Sequence, residues 1–289
     1  MDLNDLQLDA DGKVTLDGIY NEATPVPYFS TLRRLGYAIP QNAKPVFTRV
    51  FSAYRKLHRK RRLRLVDLGS SYGVNAAILK HELSMQDLFD RYDRKQLEKE
   101  TRASLMACDK RFYAARGADS SLTITGVDRA EHALDYATSA GLLDAAICAD
   151  LEEKDLQPSD VEKLSDTDVI ISTGCIGYVG EQTFSRLLAG LGPQRPWMAH
   201  FVLRMFDYRP IASLLAKFGY VTEQLSGRTF PQRRFASPEE RSEVLGRLAE
   251  QGIETRGMEG EGWFHAGFFL SRPAADASAL SLPDILSVR

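Results

Sequence analysis

The chain reads as an α/β protein: a mostly parallel sheet of seven strands with helices on both faces and an antiparallel pair closing one edge. Three observations carry this reading. Short apolar runs of the buried parallel-strand kind recur at Leu65–Leu68, Leu122–Asp128, Ala145–Asp150, Asp168–Cys175 and Trp197–Arg204. Helical stretches alternate with them: Val74–Leu79, Glu131–Gly141 and Phe184–Leu191. The first run passes at once into Gly69-Ser-Ser-Tyr-Gly73, a glycine-flanked turn that opens a helix.

Taken in order, residues 1–60 precede the first strand and are expected to form an N-terminal helical lid or brace. Phe29 to Tyr37 reads as a short helix, and Val46, Phe47, Val50, Phe51 and Tyr54 make one apolar stripe of the next. Tyr20, Tyr28, Phe29 and Tyr37 either pack this brace on the sheet or line a pocket. The dense basic run Arg55–Arg64 suits either a solvated helix end or contact with phosphates. No aromatic residue interleaves it, which favours the helix end.

A domain over 61–272 follows. Residues 80–121 form a helical insertion, with Ser84 as a helix N-cap and a helix from Glu98 to Tyr113. The fourth strand, Asp168–Cys175, is the most hydrophobic and so central. Residues 205–236 are a substrate-side excursion holding a helix from Pro210 to Gly219. Ser237 and Pro238 start another helix. Ile253–Met258 and Trp263–Leu270 are expected as the closing antiparallel strands, and 273–289 as a flexible tail.

Composition narrows the class. At 289 residues and 44% apolar, the chain can bury a substantial core. With 37 basic and 39 acidic residues the net charge is −2, so no global pull toward nucleic acid or membrane is implied. No apolar run approaches the roughly 20 residues of a membrane helix. The acidic N-terminus has no apolar core of a signal peptide. Cys108, Cys148 and Cys175 are scattered without metal-ligand spacing, which suits a reducing compartment. A cytoplasmic protein with a small-molecule substrate, no metal, no nucleic acid and no membrane partner is the expectation.

In such sheets ligands sit beyond the carboxyl ends of the strands. Asp128 ends the second run and can accept from two ribose hydroxyls; Arg129 follows it. Asp150, with Leu151 after it, ends the third and suits an adenine amino group. Ser172, Thr173 and Gly174 end the fourth and would lie beneath the ligand. Each aspartate alone is more often a cap or turn residue. The ordered set, together with Asp67, Gly69, Ser70, Ser71, Tyr72 and Gly73, points to a nucleoside.

On these residues the chain resembles the class I S-adenosylmethionine-dependent methyltransferase superfamily, over about 63–204 and again 237–272. The resemblance implies a Rossmann-like fold with S-adenosylmethionine as cofactor. It implies that the Asp67–Gly73 loop cradles the methionine part, Asp128 the ribose and Asp150 the adenine side. Two departures stand out. Ser71 replaces the middle glycine of the family loop, at a position expected to be helical or extended. Asp128 lies 59 residues after Gly69 (128 − 69), so 80–121 must loop out. A dinucleotide is disfavoured, because Gly69-Ser-Ser-Tyr-Gly lacks the glycine that admits a pyrophosphate.

The reaction has two readings. One is methyl transfer to a small-molecule nucleophile, which needs alignment and exclusion of water. Tyr178, then Tyr72, Tyr20 and Tyr28, are the candidate faces for the sulfonium, and Arg204 and Arg233 the candidate grips for a substrate carboxylate. The place of the family's amine-methylating Asn/Asp-Pro-Pro-aromatic motif is taken by Ser172–Tyr178, which disfavours activity of that type. The other reading is a cyclase of the same fold, in which the cofactor's own amine displaces 5′-methylthioadenosine and closes azetidine-2-carboxylate. His200 and His265 read as packed strand residues rather than bases.

Overall fold

The computed structural model describes residues 13, 17–93, 97 and 100–287. The first residues of the expected lid, the start of the Glu98 helix and the last two residues of the tail lie outside them. Five parallel strands form the body of the sheet: β1 (Leu63–Leu68), β2 (Leu122–Asp128), β3 (Ala145–Cys148), β4 (Val169–Thr173) and β5 (Trp197–Leu203). They lie in the order β3-β2-β1-β4-β5, so the chain reverses its direction of travel between β1 and β4. That reversal opens a crevice above the carboxyl ends of these two strands.

Alternation along β1 shows why both faces are covered. Leu63 and Leu65 face one apolar core, while Val66 and Leu68 face the other. The first core takes side chains from α1 (Asp17–Tyr20), α2 (Val26–Arg34), α3 (Ile39–His58) and α4 (Val74–Lys80). The predicted stripe of α3, from Val46 to Tyr54, is buried there. In the insertion, α5 (Met85–Arg91) begins at Ser84 with a reciprocal capping box to Asp87, and α6 (Arg102–Arg116) follows. Beyond β2, α7 (Glu131–Ser139) packs on the same side. α8 (Pro158–Lys163), α9 (Glu181–Leu191) and α10 (Arg209–Lys217) follow in the chain, and the last two pack on the opposite core.

The insertion loops out. β1 and β2 pair directly, with Asp67 opposite Gly126 and Leu68 opposite Val127. Gly126 permits this because a Cβ there would lie 2.5 Å from Ser70 Oγ and 2.6 Å from Leu143. A buried polar knot ties the insertion down: Asp109 accepts from Arg91 Nε (2.7 Å), Tyr92 OH (2.8 Å) and Tyr136 OH (2.6 Å).

The antiparallel edge differs from the expectation. Ile253–Met258 is not a strand; it runs as loop and turn between α11 (Pro238–Glu250) and β8 (Trp263–Pro273). The strands paired with β8 on its outer edge are instead β6 (Tyr220–Gln224) and β7 (Phe230–Arg234), both from the expected excursion. β8 is long enough to serve both, with 269–273 facing β6 and 263–266 facing β7. The tail also differs: α12 (Ala274–Ala279) and α13 (Leu282–Ser287) are helices, and Leu282 and Ile285 join the first core. The basic run ends α3; Arg55 bonds Ser121, His58 meets Asp276 and Lys60 meets Asp168. No helix among the described residues is long and apolar enough to cross a membrane.

Candidate functional site

A cavity of about 630 Å³ lies over the carboxyl ends of β1, β2 and β4. This is within the range of small-molecule sites. Its floor begins with the loop after β1. Gly69 is left-handed (φ +72°), and a Cβ there would sit 2.6 Å from the Cβ of Cys175. Only a glycine lets the two strand ends approach so closely. Gly73, also left-handed, caps α4. Ser71 has φ +47°, so it is left-handed rather than helical or extended as expected. Serine thus holds a backbone shape that glycine adopts without strain. Its Oγ is buried and has no hydrogen-bond partner.

Asp128 closes the other side. Its carboxylate accepts the Ser71 N–H at 2.8 Å and the Ala130 N–H at 3.0 Å. Burial pushes its pKa up, and these backbone donors oppose that rise. Arg129 and Ala130 line the cavity beside it, as do Asp150, Leu151 and Glu152 after β3. The Asp150 carboxylate accepts the Glu152 N–H, which forms the turn. Glu152 in turn caps α9 through Gly180, Thr183 N–H and Thr183 Oγ1.

Beneath the floor lies Asp67. It is fully buried, and desolvation raises its pKa to about 7 despite a hydrogen bond from Asn75 Nδ2 (2.8 Å). Its second oxygen, Oδ2, has no partner. Asn75 also bonds Thr173 Oγ1 at 3.1 Å, and Thr173 lines the cavity. Asp67 is therefore linked to the cavity floor through Asn75 and Thr173.

The brace supplies the remaining wall. Tyr20, Tyr28 and Tyr37 all line the cavity. Tyr28 meets Tyr20 edge-on at 5.5 Å and Tyr72 at 5.4 Å. Tyr37 OH donates to the Thr173 carbonyl at 3.4 Å, which pins the start of α3 over β4. Burial raises the pKa of Tyr28 and Tyr37, so both hydroxyls stay protonated. Tyr178 stands at the rim, about half exposed, with Lys13 Nζ 4.3 Å from its ring centroid. One face of that ring already holds a cation.

Among the expected site residues, Tyr20, Tyr28, Gly69, Ser71, Asp128, Arg129, Asp150, Leu151, Thr173, Gly174, Tyr178 and Arg233 line this cavity. Asp67, Ser70, Tyr72 and Gly73 shape it from behind. Ser172 is buried and bonded to His200 Nδ1 at 2.8 Å. His200 itself has its pKa lowered to about 3 by burial, so it is a neutral core residue.

Two expected carboxylate grips are engaged elsewhere. Arg204 does not reach the cavity; it pairs with Glu259 (2.7 Å) and the Glu254 carbonyl (2.6 Å). Arg233 does reach it, but its guanidinium is spent on a two-pronged buried pair with Glu240 at 2.9 and 2.7 Å. Sequence reasoning passed over Gln232, Glu152 and Lys13. Gln232 reaches the site only because β7 pairs with β8, a long-range arrangement with no local signature.

No family model and no curated protein matches the chain. Among solved structures it is similar to EvdMO1 (14% identity, TM-score 0.41), matching over 82% of this chain and 42% of that one, so it spans about two fifths of EvdMO1. It is similar to the plantazolicin methyltransferase BamL, solved with a desmethylPZN analogue and SAH (11% identity, TM-score 0.40, 80% of this chain and 85% of that one). A third is a SAM-dependent methyltransferase from Aquifex aeolicus (11% identity, TM-score 0.39, 87% and 98%). These are distant likenesses, and the case for a ligand rests on the chain's own residues.

Proposed function

We propose that the cavity binds S-adenosylmethionine and that the chain is a methyltransferase acting on a small-molecule nucleophile. The observation that carries this is the closure of the Asp67–Gly73 loop onto Asp128 through the Ser71 N–H, with polar atoms left unpaired around it. The residues fit the ligand. Asp128 has lone pairs beyond those given to Ser71 and Ala130, available to ribose hydroxyls. Asp150 stands beside the adenine end. Asp67, linked through Asn75 and Thr173, offers negative charge beneath an α-ammonium. The loop lacks the second glycine that a pyrophosphate requires, and a phosphate-free ligand does not need it.

When bound, S-adenosylmethionine supplies a sulfonium whose attached carbon is open to displacement. The chain's own part is to orient and to keep water out. Tyr20, Tyr28 and Tyr37 form an aromatic wall whose faces suit a cation, with Tyr28 buried and the other two partly so. Burial keeps the Tyr28 and Tyr37 hydroxyls protonated, and His200 lies outside the cavity.

A second reading draws on that same aromatic wall. Aromatic faces around the sulfonium also suit a nucleophile that belongs to the cofactor itself, giving azetidine-2-carboxylate and 5′-methylthioadenosine. Mass spectrometry of the protein incubated with S-adenosylmethionine alone separates the two. Methylthioadenosine in the product would overturn the methyltransferase reading; S-adenosylhomocysteine formed only on addition of an acceptor would support it.

A further inference from the structure

The Ser237 hydroxyl caps α11 by accepting the Glu240 N–H at 3.2 Å, which sets Glu240 in the first turn of that helix. The Glu240 side chain is buried. Its carboxylate accepts the Ala236 N–H at 2.6 Å and both prongs of the Arg233 guanidinium, at 2.9 and 2.7 Å. Arg233 also donates to the Arg234 carbonyl at 3.0 Å. Its guanidinium carbon lies 4.5 Å from the ring centroid of Phe264, which belongs to a small apolar core with Leu203, Met205, Val244 and Leu248.

Arg233 stands at the end of the cavity where β7 meets the brace. Three bonds fix that junction. The Gln232 carbonyl accepts the Ala38 N–H at 2.7 Å, the Leu35 carbonyl accepts the Arg234 N–H at 2.7 Å, and the Pro231 carbonyl accepts Asn42 Nδ2 at 2.8 Å. Tyr20, Tyr28, Leu32 and Tyr37 line the cavity from the brace side. Asp67 lies beneath the floor, linked to it through Asn75 and Thr173. Of the other cations on the cavity wall, Arg129 stands beside Asp128, and Lys13 lies over the Tyr178 ring at the rim.

Charge decides what the brace end admits. An uncancelled guanidinium there would draw a carboxylate in two-pronged fashion. Glu240 cancels that charge and takes both prongs, so an incoming carboxylate or phosphate would lose its water without gaining a partner. The Asp67 carboxylate, when ionised, repels a second anion. An uncharged ring loses little hydration and gains edge and face contacts with the tyrosines.

We propose that Glu240 sets acceptor specificity by neutralising Arg233, so that the acceptor is an uncharged, ring-bearing molecule and not a carboxylate or phosphate. This rests on the S-adenosylmethionine reading above and names the substrate class for it. Glu240 does not touch the acceptor; it is a positioning residue that acts through Arg233.

The probes are 4-methylphenol and 4-methylbenzoate, close in shape but uncharged and anionic respectively at neutral pH. Their binding is measured by ligand-observed NMR on the wild type and Glu240→Gln, with and without S-adenosylhomocysteine, whose own binding is followed in the same samples. The wild type is expected to bind 4-methylphenol at least about tenfold more tightly than 4-methylbenzoate. Glu240→Gln leaves the guanidinium charge uncancelled. It should gain about tenfold in affinity for 4-methylbenzoate, the weight of a charge-assisted hydrogen bond, with 4-methylphenol unchanged. A role in folding alone would weaken both probes together. The proposal is overturned if the wild type binds the anion as well as or better than the phenol, if it binds neither, or if a folded Glu240→Gln gains nothing for the anion. Because that variant breaks a buried ion pair, the wild-type comparison decides by itself should it not fold. A wild type that discriminates the probes but does not bind S-adenosylhomocysteine overturns the cofactor reading rather than the charge assignment.

Discussion

The backbone N–H of Ser71 donates to Oδ2 of Asp128 at 2.8 Å, across 57 residues of chain. This bond closes the loop after β1 onto the acid at the end of β2. It works only because β1 and β2 are neighbours in register and residues 80–121 loop out between them. The same bond ties left-handed Ser71 to the acid, so the shape of the loop and the position of Asp128 are set together.

Ser71→Gly tests the strain in that arrangement. A left-handed non-glycine residue costs about 1 kcal/mol or more, and glycine costs about 0.5–1 kcal/mol through the unfolded chain. The two nearly cancel, so denaturant midpoints should scarcely move for Ser71→Gly. Ser71→Val, which is stiff at Cβ, should lose about 2 kcal/mol. A valine variant as stable as the wild type would contradict the left-handed assignment.

Gly69→Ala should be worse, since strain at φ +72° is joined by a Cβ only 2.6 Å from Cys175. A loss of about 2 kcal/mol or more in denaturant unfolding is expected. A loss below about 0.5 kcal/mol would mean that β1 and β4 do not end in such close contact.

On the proposed function, Asp67 should make ligand binding depend on pH. Its folded pKa is raised to about 7, above the unfolded value of 3.8. Between those values the folded state holds the extra proton, so the group makes stability fall as pH rises toward 7. An α-ammonium nearby favours the ionised carboxylate. The affinity for S-adenosylhomocysteine should therefore rise as pH rises through about 7, with proton release on binding below it. Asp67→Asn should flatten the profile; a profile equally steep in that variant rules out Asp67 as the titrating group.

Asp109 anchors the insertion rather than the cavity. Tyr92, Tyr136 and Arg91 all donate to it, so Asp109→Leu removes the acceptor of three side chains, leaving the buried Tyr136 hydroxyl and the half-buried Arg91 guanidinium without it, while Tyr92 keeps Tyr113. A loss of about 3–5 kcal/mol in denaturant unfolding is expected. A loss below 1 kcal/mol would show that the insertion is held by its apolar contacts alone.

How far the fold was legible follows from where each signal resides. β1, β2, β4 and β5 are buried on both faces, so their apolar runs are local and readable. β6 and β7 carry polar residues, such as the Thr-Glu-Gln end of β6 and the Gln-Arg-Arg end of β7, and become strands only by sharing one edge of β8. Ile253–Met258 has an apolar start but no free edge to pair with. Asp128 and Asp150 were visible because strand ends point at the crevice; Gln232 was not, because its place depends on β7. Arg204 sits at a strand end too, yet Glu259 folds back and claims it.

The most direct measurement is calorimetric titration of S-adenosylhomocysteine into the wild type and Asp128→Ala. The proposed function requires one site per chain in the wild type. It also requires a loss of about a hundredfold or more in the variant, whose carboxylate both closes the loop and meets the ribose. An Asp128→Ala protein that stays folded and binds as tightly as the wild type, or a wild type that does not bind at all, would contradict it.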